Sequence, residues 1–290
     1  MLKQSIKNNI LSIIRDPTTL LAVLATIIMR FMQGFDMYRD SSGNFVDTEL
    51  FLSENALSYA LNSYVGFAIS TLQREVFPFL GIIIAINIFK DVRTNMFDII
   101  SIGQISVKKY FLSKIFSYYI LGSILCLFLT LTYSILYTIV QVPPGTNLEW
   151  YKIITAQLVA IIVICTSYLF IPIAWAIFLS ALTGISSIGA IFNSVYLYFP
   201  NMIERSGITF WEHYVHVFPH TMYLYLLKWI TYPKELILTV KYEDPYGPEA
   251  YRMFTSFNDA LISYILQLLI AAILFTLSYY LLKRRFRKCN

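Results

Sequence analysis

Residues 111–142 read FLSKIFSYYILGSILCLFLTLTYSILYTIVQV, and after Lys114 no charged side chain occurs until Glu149. A helix crosses the roughly 30 Å hydrocarbon core of a bilayer in about 20 apolar residues. This run satisfies that with length to spare, so it is read as a membrane-spanning helix that tilts or extends past the lipid. A soluble domain has no use for an uncharged apolar stretch of this length.

The reading extends outward in both directions. Pro143-Pro144-Gly145 closes the run, and a second one from about Tyr151 to Leu182 ends at Thr183-Gly184. On the other side, Lys90, Arg93, Lys108, Lys109 and Lys114 surround the short segment 94–103. Lys and Arg at this density close to span ends mark a cytoplasmic loop. A preceding span lies between Leu61 and Phe89, clean over 76–89 but with Gln73, Arg74 and Glu75 before that.

Leu2, Ile6, Ile10, Ile13 and Ile14 form one helical stripe, so residues 2–15 are expected as an amphipathic helix lying in the membrane surface. Asp16-Pro17 then suits a helix start, because Asp caps free N–H groups and Pro is tolerated in the first turn. The first span should run from there to about Phe35. Met1-Leu2-Lys3-Gln4 begins no apolar core with a cleavage site, so no removable signal peptide is expected.

Residues 36–60 carry Asp36, Asp40, Asp47, Glu49 and Glu54 and read as an external loop. A short fifth span is expected over 185–199, followed by a second external region over 201–258. Within it, Phe210–Trp229 has the aromatic composition of a headgroup boundary and suits an interface-lying helical hairpin. The last span, about 260–282, stops at Lys283-Arg284-Arg285-Phe286-Arg287-Lys288, a cluster suited to the cytoplasmic leaflet and its anionic lipid. The expected fold class is thus an all-α integral membrane protein: one domain over 1–290, six transmembrane helices, and both termini on the cytoplasmic side of the plasma membrane.

Composition agrees, with 57% hydrophobic and 13% charged residues and a mean hydropathy of +0.62, against about 45–50% and about 25% in ordinary soluble chains. The net charge of +5 sits beside apolar segments rather than in a groove with interleaved aromatics, so no nucleic-acid partner is expected. Cys126 and Cys165 fall within apolar runs and Cys289 in the basic tail, a spacing that suggests neither metal nor redox chemistry.

None of the 11 glycines belongs to a phosphate-cradling G-x-x-x-x-G-K-[ST] or to G-x-G-x-x-G, so no nucleotide cofactor and no ATPase site is expected in this chain. His213, His216 and His220 lie beside Glu212, but Pro219 interrupts the turn that would align them and H-E-x-x-H order is absent. An intramembrane metal-dependent hydrolase is the enzyme alternative this group would carry. Arg30, Arg74 and Glu75 are charges near membrane depth, which either line a polar path or reach the headgroups. Asn87, Gln157, Asn193 and Gln267 are the polar candidates inside the spans.

The order of parts resembles the membrane subunit of ABC-2 type exporters. An N-terminal amphipathic helix ends in Arg15-Asp16-Pro17, and the loop Ile88-Phe89-Lys90-Asp91-Val92-Arg93-Thr94-Asn95-Met96-Phe97-Asp98 follows the second span. Ser106-Val107-Lys108-Lys109-Tyr110-Phe111-Leu112-Ser113-Lys114 then looks like the re-entry into the third. Departures are the large first external region and Lys90-Asp91-Val92-Arg93 where the family often has a Glu-Arg pair.

The resemblance implies a permease that pairs with a second copy or a related one and with two copies of a separate ATPase subunit, which holds ATP and Mg. It implies a coupling helix over 91–103, with Asp91, Arg93, Asn95, Met96, Phe97, Asp98 and Ile99 in contact with that subunit. Met96, Phe97 and Ile99 are apolar enough to plug a groove while the charges fix orientation. A path between the second and fifth spans would be lined by Phe77, Phe79, Asn87, Phe192, Asn193, Tyr196 and Tyr198, suiting a hydrophobic or amphipathic cargo such as a membrane-active peptide. The alternative without transport is a sensor or immunity protein whose external regions bind a peptide.

Overall fold

The computed structural model describes residues 2–17, 20, 21, 24, 28, 56–72, 76–93, 106–142, 146–183 and 257–287. Among them every regular element is helical: α1 Leu2–Ile14, α2 Ala56–Thr71, α3 Phe77–Arg93, α4 Val107–Gln141, α5 Trp150–Val163, a π-helical turn Ile164–Tyr168, α6 Phe170–Thr183 and α7 Phe257–Arg287.

Among the described residues three stretches are long and apolar enough to cross a bilayer: Val107–Ile139, Trp150–Thr183 and Tyr264–Arg284, with Phe79–Ile88 as a shorter apolar helix. Their surfaces fit lipid. Ile124, Phe128, Leu131, Ile135 and Ile139 stand exposed along α4, and Ile262, Leu269, Ile273 and Leu277 along α7. In water each would forfeit about 25 cal/mol per Å² of apolar area, a penalty that hydrocarbon removes. Half of the apolar window in Trp150–Thr183 is buried against 28% in each of the other two, so this helix is the central one.

Local chemistry sets the helix ends. In α1 the N–H of Arg15 reaches Leu11 O at 3.0 Å and that of Asp16 reaches Ile13 O at 3.3 Å. The next helical bond runs from Leu20 N–H to Asp16 O at 3.1 Å, so Pro17 sits in a first turn, where its missing N–H costs nothing. At the start of α4 the Ser106 hydroxyl accepts the Lys109 N–H at 3.2 Å.

Packing divides the bundle into two tiers. α3 packs on α6, which also packs on α7, and α1 lies against α4 at the end carrying Lys108, Lys109 and Lys114. At the other end α2 packs on α5 and α4. α2 therefore packs on the first half of the region 150–183 and α3 on its second half.

Several boundaries differ from expectation. Residues 56–60 of the expected external loop are helical and belong to α2, with Ala60, Leu61 and Tyr64 buried at helical spacing. Asp91 and Arg93 fall within α3, and residues 94–103 of the expected coupling helix lie outside the described residues. α7 likewise runs through its basic residues to Arg287. The expected spans at 17–35 (apart from the few residues given above) and 185–199, residues 201–256 of the external region 201–258, and Arg30, Arg74, Glu75, His213, His216 and His220 lie outside the described residues, while Phe257 and Asn258 open α7.

Candidate functional site

A charge cluster stands at the basic end. Asp91, in the last turn of α3, forms an ion pair with Lys114 Nζ at 2.8 Å, both side chains only about a tenth exposed. Tyr110 donates its hydroxyl to the same Asp91 oxygen, and Lys114 Nζ lies 5.6 Å from the centre of the Tyr110 ring. Ile88, Phe111, Tyr118, Ile177 and Leu282 complete the walls of a cavity of about 20 Å³, so α3, α4, α6 and α7 all meet here. Tyr118 is fully buried, and its hydroxyl has no hydrogen-bond partner among the described residues.

Either charge would be costly to bury alone. Each is stabilised by the other, so the pair is a tertiary clamp between the two helices that flank residues 94–105. Beside it, α1 is docked on α4: Ser5 Oγ donates to Ser113 Oγ at 3.1 Å, Asn9 Nδ2 to the same oxygen at 3.0 Å, and Ser117 Oγ to Ile6 O at 3.4 Å. Ile13 is buried in the core while Ile14 is exposed.

The second feature lies midway along the bundle. Leu169 N–H bonds Ile164 O at 3.1 Å, five residues back, which defines the π turn. Pro172 explains it, since it has no N–H for Tyr168 O. Hydroxyls supplement the disturbed ladder: Thr166 donates to Ile162 O at 2.7 Å, Ser167 to Val163 O at 3.0 Å, and Tyr119 of α4 to Cys165 O. Tyr264 of α7 donates to Ser167 Oγ. Leu72 and Val76, between α2 and α3, also have π geometry.

Rings tie these points together. Phe77 stacks on Tyr168 with centroids 6.0 Å apart, and Tyr168 on Tyr264 at 6.5 Å, both at 14°. Tyr119 stacks on Phe170 at 4.6 Å and 10°. At Gly122 the helices approach so closely that a Cβ would stand 2.8 Å from Leu80 Cδ1 and 3.4 Å from Leu169 Cδ2.

The far tier is held by neutral groups. Gln157 Nε2 donates to Tyr64 O at 3.0 Å and to Ser134 Oγ. The Tyr64 and Thr138 hydroxyls are hydrogen-bonded to each other, and Thr138 donates to Ser134 O at 2.7 Å. Edge-on contacts set the Tyr64 ring against Phe67, Tyr137 and Trp150 with centroids 5.8, 5.6 and 6.1 Å away. At the mouth of α5, exposed Glu149 pairs with Lys152 and accepts the Tyr151 hydroxyl at 3.2 Å. The hydrogen bond from Lys152 holds the Glu149 carboxyl below the usual carboxylate range.

Among the residues named from sequence, Phe77 and Phe79 are buried in the core, and Asn87 is buried with its amide donating to Ile83 O at 2.9 Å. They face packed side chains in this conformation. Asp91 is engaged inside the protein, Arg93 is the last residue of α3, and Asn95, Met96, Phe97, Asp98, Ile99, Phe192, Asn193, Tyr196 and Tyr198 lie outside the described residues. Gln157 and Gln267 are buried, as polar groups within spans must be. Lys114 and Tyr110 entered the sequence reading only as a span-end lysine and as part of the re-entry segment 106–114, not as site residues. Among the described residues no group of three His, Cys, Asp or Glu could hold a metal. No protein-family model matches the chain, and neither a curated protein nor a solved structure matches it.

Proposed function

We propose that this chain is the membrane-spanning subunit of an ATP-driven exporter, acting on a hydrophobic or amphipathic substrate, with ATP and Mg bound by a separate partner subunit. In this reading six spans cross the plasma membrane, both termini are cytoplasmic, and two such membrane subunits form the pathway. The observation that carries the proposal is the arrangement at the basic end. An amphipathic N-terminal helix is docked by Ser5, Asn9 and Ser117 against α4, next to the Asp91–Lys114 clamp that joins the two helices flanking 94–105.

Such an arrangement suits the transmission of force. A partner pressing on Met96, Phe97 and Ile99 would act on helix ends fixed to each other by a buried ion pair, and α1 would brace the same end in the plane of the headgroups. The displacement would then pass into α6 and α7, whose Ile177 and Leu282 line the cavity beside the clamp. In this reading the burial of Phe77, Phe79 and Asn87 corresponds to a state in which the cargo path is closed.

The test is transport in proteoliposomes containing the chain and its nucleotide-binding partner. Replacing Phe97 and Asp98 together by Ala should uncouple ATP hydrolysis from export while the protein stays in the membrane. Fully coupled export by that variant would contradict the contact. Peptide binding without ATP-dependent movement in the parent protein would favour a sensor.

A further inference from the structure

Two helical regions lose regularity at one level of the bundle, and a third helix carries a bend-prone pair there. The region 150–183 does so at the π turn Ile164–Tyr168, and Leu72 after α2 and Val76 before α3 are both in π geometry. α4 carries Gly122-Ser123 near its midpoint, and Gly-Ser pairs are recurrent sites of helix bending. Direct contacts join the three sites: Phe77 stacks on Tyr168, Tyr119 bonds Cys165 O, and Gly122 lies against Leu80 and Leu169.

What lies on either side of this level differs in partner. α2 and α5 pack on each other, as do α3, α6 and α7, while α4 alone among the described helices runs unbroken through both groups. We propose that this level is a hinge plane, across which the α2–α5 tier and the α3–α6–α7 tier move as two units about Gly122-Ser123.

The π turn supplies the freedom. It holds one residue more than an α-helix needs, and passing that residue along the helix shifts the following segment by about 1.5 Å and turns it by about 100°. A membrane helix tolerates such a slip only where other groups satisfy the released carbonyls. Thr166, Ser167 and Tyr119 stand at that point with hydroxyls already on Ile162, Val163 and Cys165 carbonyls. The Phe77–Tyr168–Tyr264 stack joins α3, the end of the π turn and α7, so it travels with one tier. The proposal does not rest on the transport reading, since a receptor could use the same joint.

Pulsed electron–electron resonance on the full chain in lipid nanodiscs tests it, with nitroxides attached through an introduced keto amino acid so that the native cysteines stay in place. One label pair crosses the plane, at exposed Ile154 and Leu182; the other stays within a tier, at exposed Leu182 and Tyr280. The expected result is a broad or two-peaked distance distribution across the plane and a narrow one within the tier. Deleting exposed Thr166, which removes the extra residue, should narrow the first and leave the second unchanged. Pro172→Ala, which restores a donor for Tyr168 O, should narrow it in the same direction if the deletion variant does not fold. Equal widths for both pairs in the parent chain, or a breadth that survives both changes, would overturn the hinge.

Discussion

The two tiers solve one problem differently. The tier at the basic end holds its helices with formal charge, Asp91 against Lys114, and the far tier with an amide and hydroxyls, Gln157 against Ser134 and the Tyr64 carbonyl. A buried charge is costly unless its partner stays in place, whereas a neutral hydrogen bond in a membrane protein contributes modestly and fails gently. The difference teaches where rigidity is concentrated. One end is clamped by an interaction that is either made or strongly missed, and the other by a network that can lose a member.

Breaking the clamp should therefore have the largest effect. Asp91→Ala leaves the Lys114 ammonium buried and unpaired and is expected to destabilise the protein by about 3–5 kcal/mol in unfolding experiments in mild detergent. Asp91→Asn combined with Lys114→Met should recover most of that loss, because no charge then remains buried. Additive losses in the double variant would place the stabilisation elsewhere. In the far tier Gln157→Leu removes two donated hydrogen bonds and should cost only about 0.6–2 kcal/mol. A loss as large as that of Asp91→Ala would erase the contrast between the tiers.

Smaller effects sharpen the same picture at the helix ends. Ser106→Ala removes the cap on Lys109 N–H and should cost about 1 kcal/mol, read from the unfolding midpoint. Glu149 tests pH. Its folded carboxyl titrates below the usual carboxylate range because Lys152 hydrogen-bonds it, so its contribution is present above the unfolded pKa and lost as pH falls through the folded one. The site is exposed, so the small stability difference between the parent chain and Glu149→Gln should vanish in acid and persist at neutral pH.

The sequence displays what depends on neighbours along the chain. Residues 2–15, 111–142 and 151–182 were legible as helices because apolar length and periodicity are local signals, and α1, α4 and the α5–α6 stretch fall within a few residues of them. Asp16-Pro17 marked its helix start for the same reason. The clamp was hidden because Asp91 and Lys114 lie on different helices, and no periodicity links them. Lys114 looked like one more topological lysine. Pro172 was the available signal for the π turn, since a proline inside a span deprives one carbonyl, but which hydroxyls answer it is decided by tertiary packing. That residues 56–60 are helical was obscured by the acidic, polar composition of the residues before them.

The most direct test of the functional account is purification of the chain from its native membrane in mild detergent, followed by an ATPase assay on whatever accompanies it. The account predicts that a separate nucleotide-binding protein co-purifies and that the complex hydrolyses ATP. A chain that purifies without such a partner, from a preparation that does not hydrolyse ATP, would contradict it.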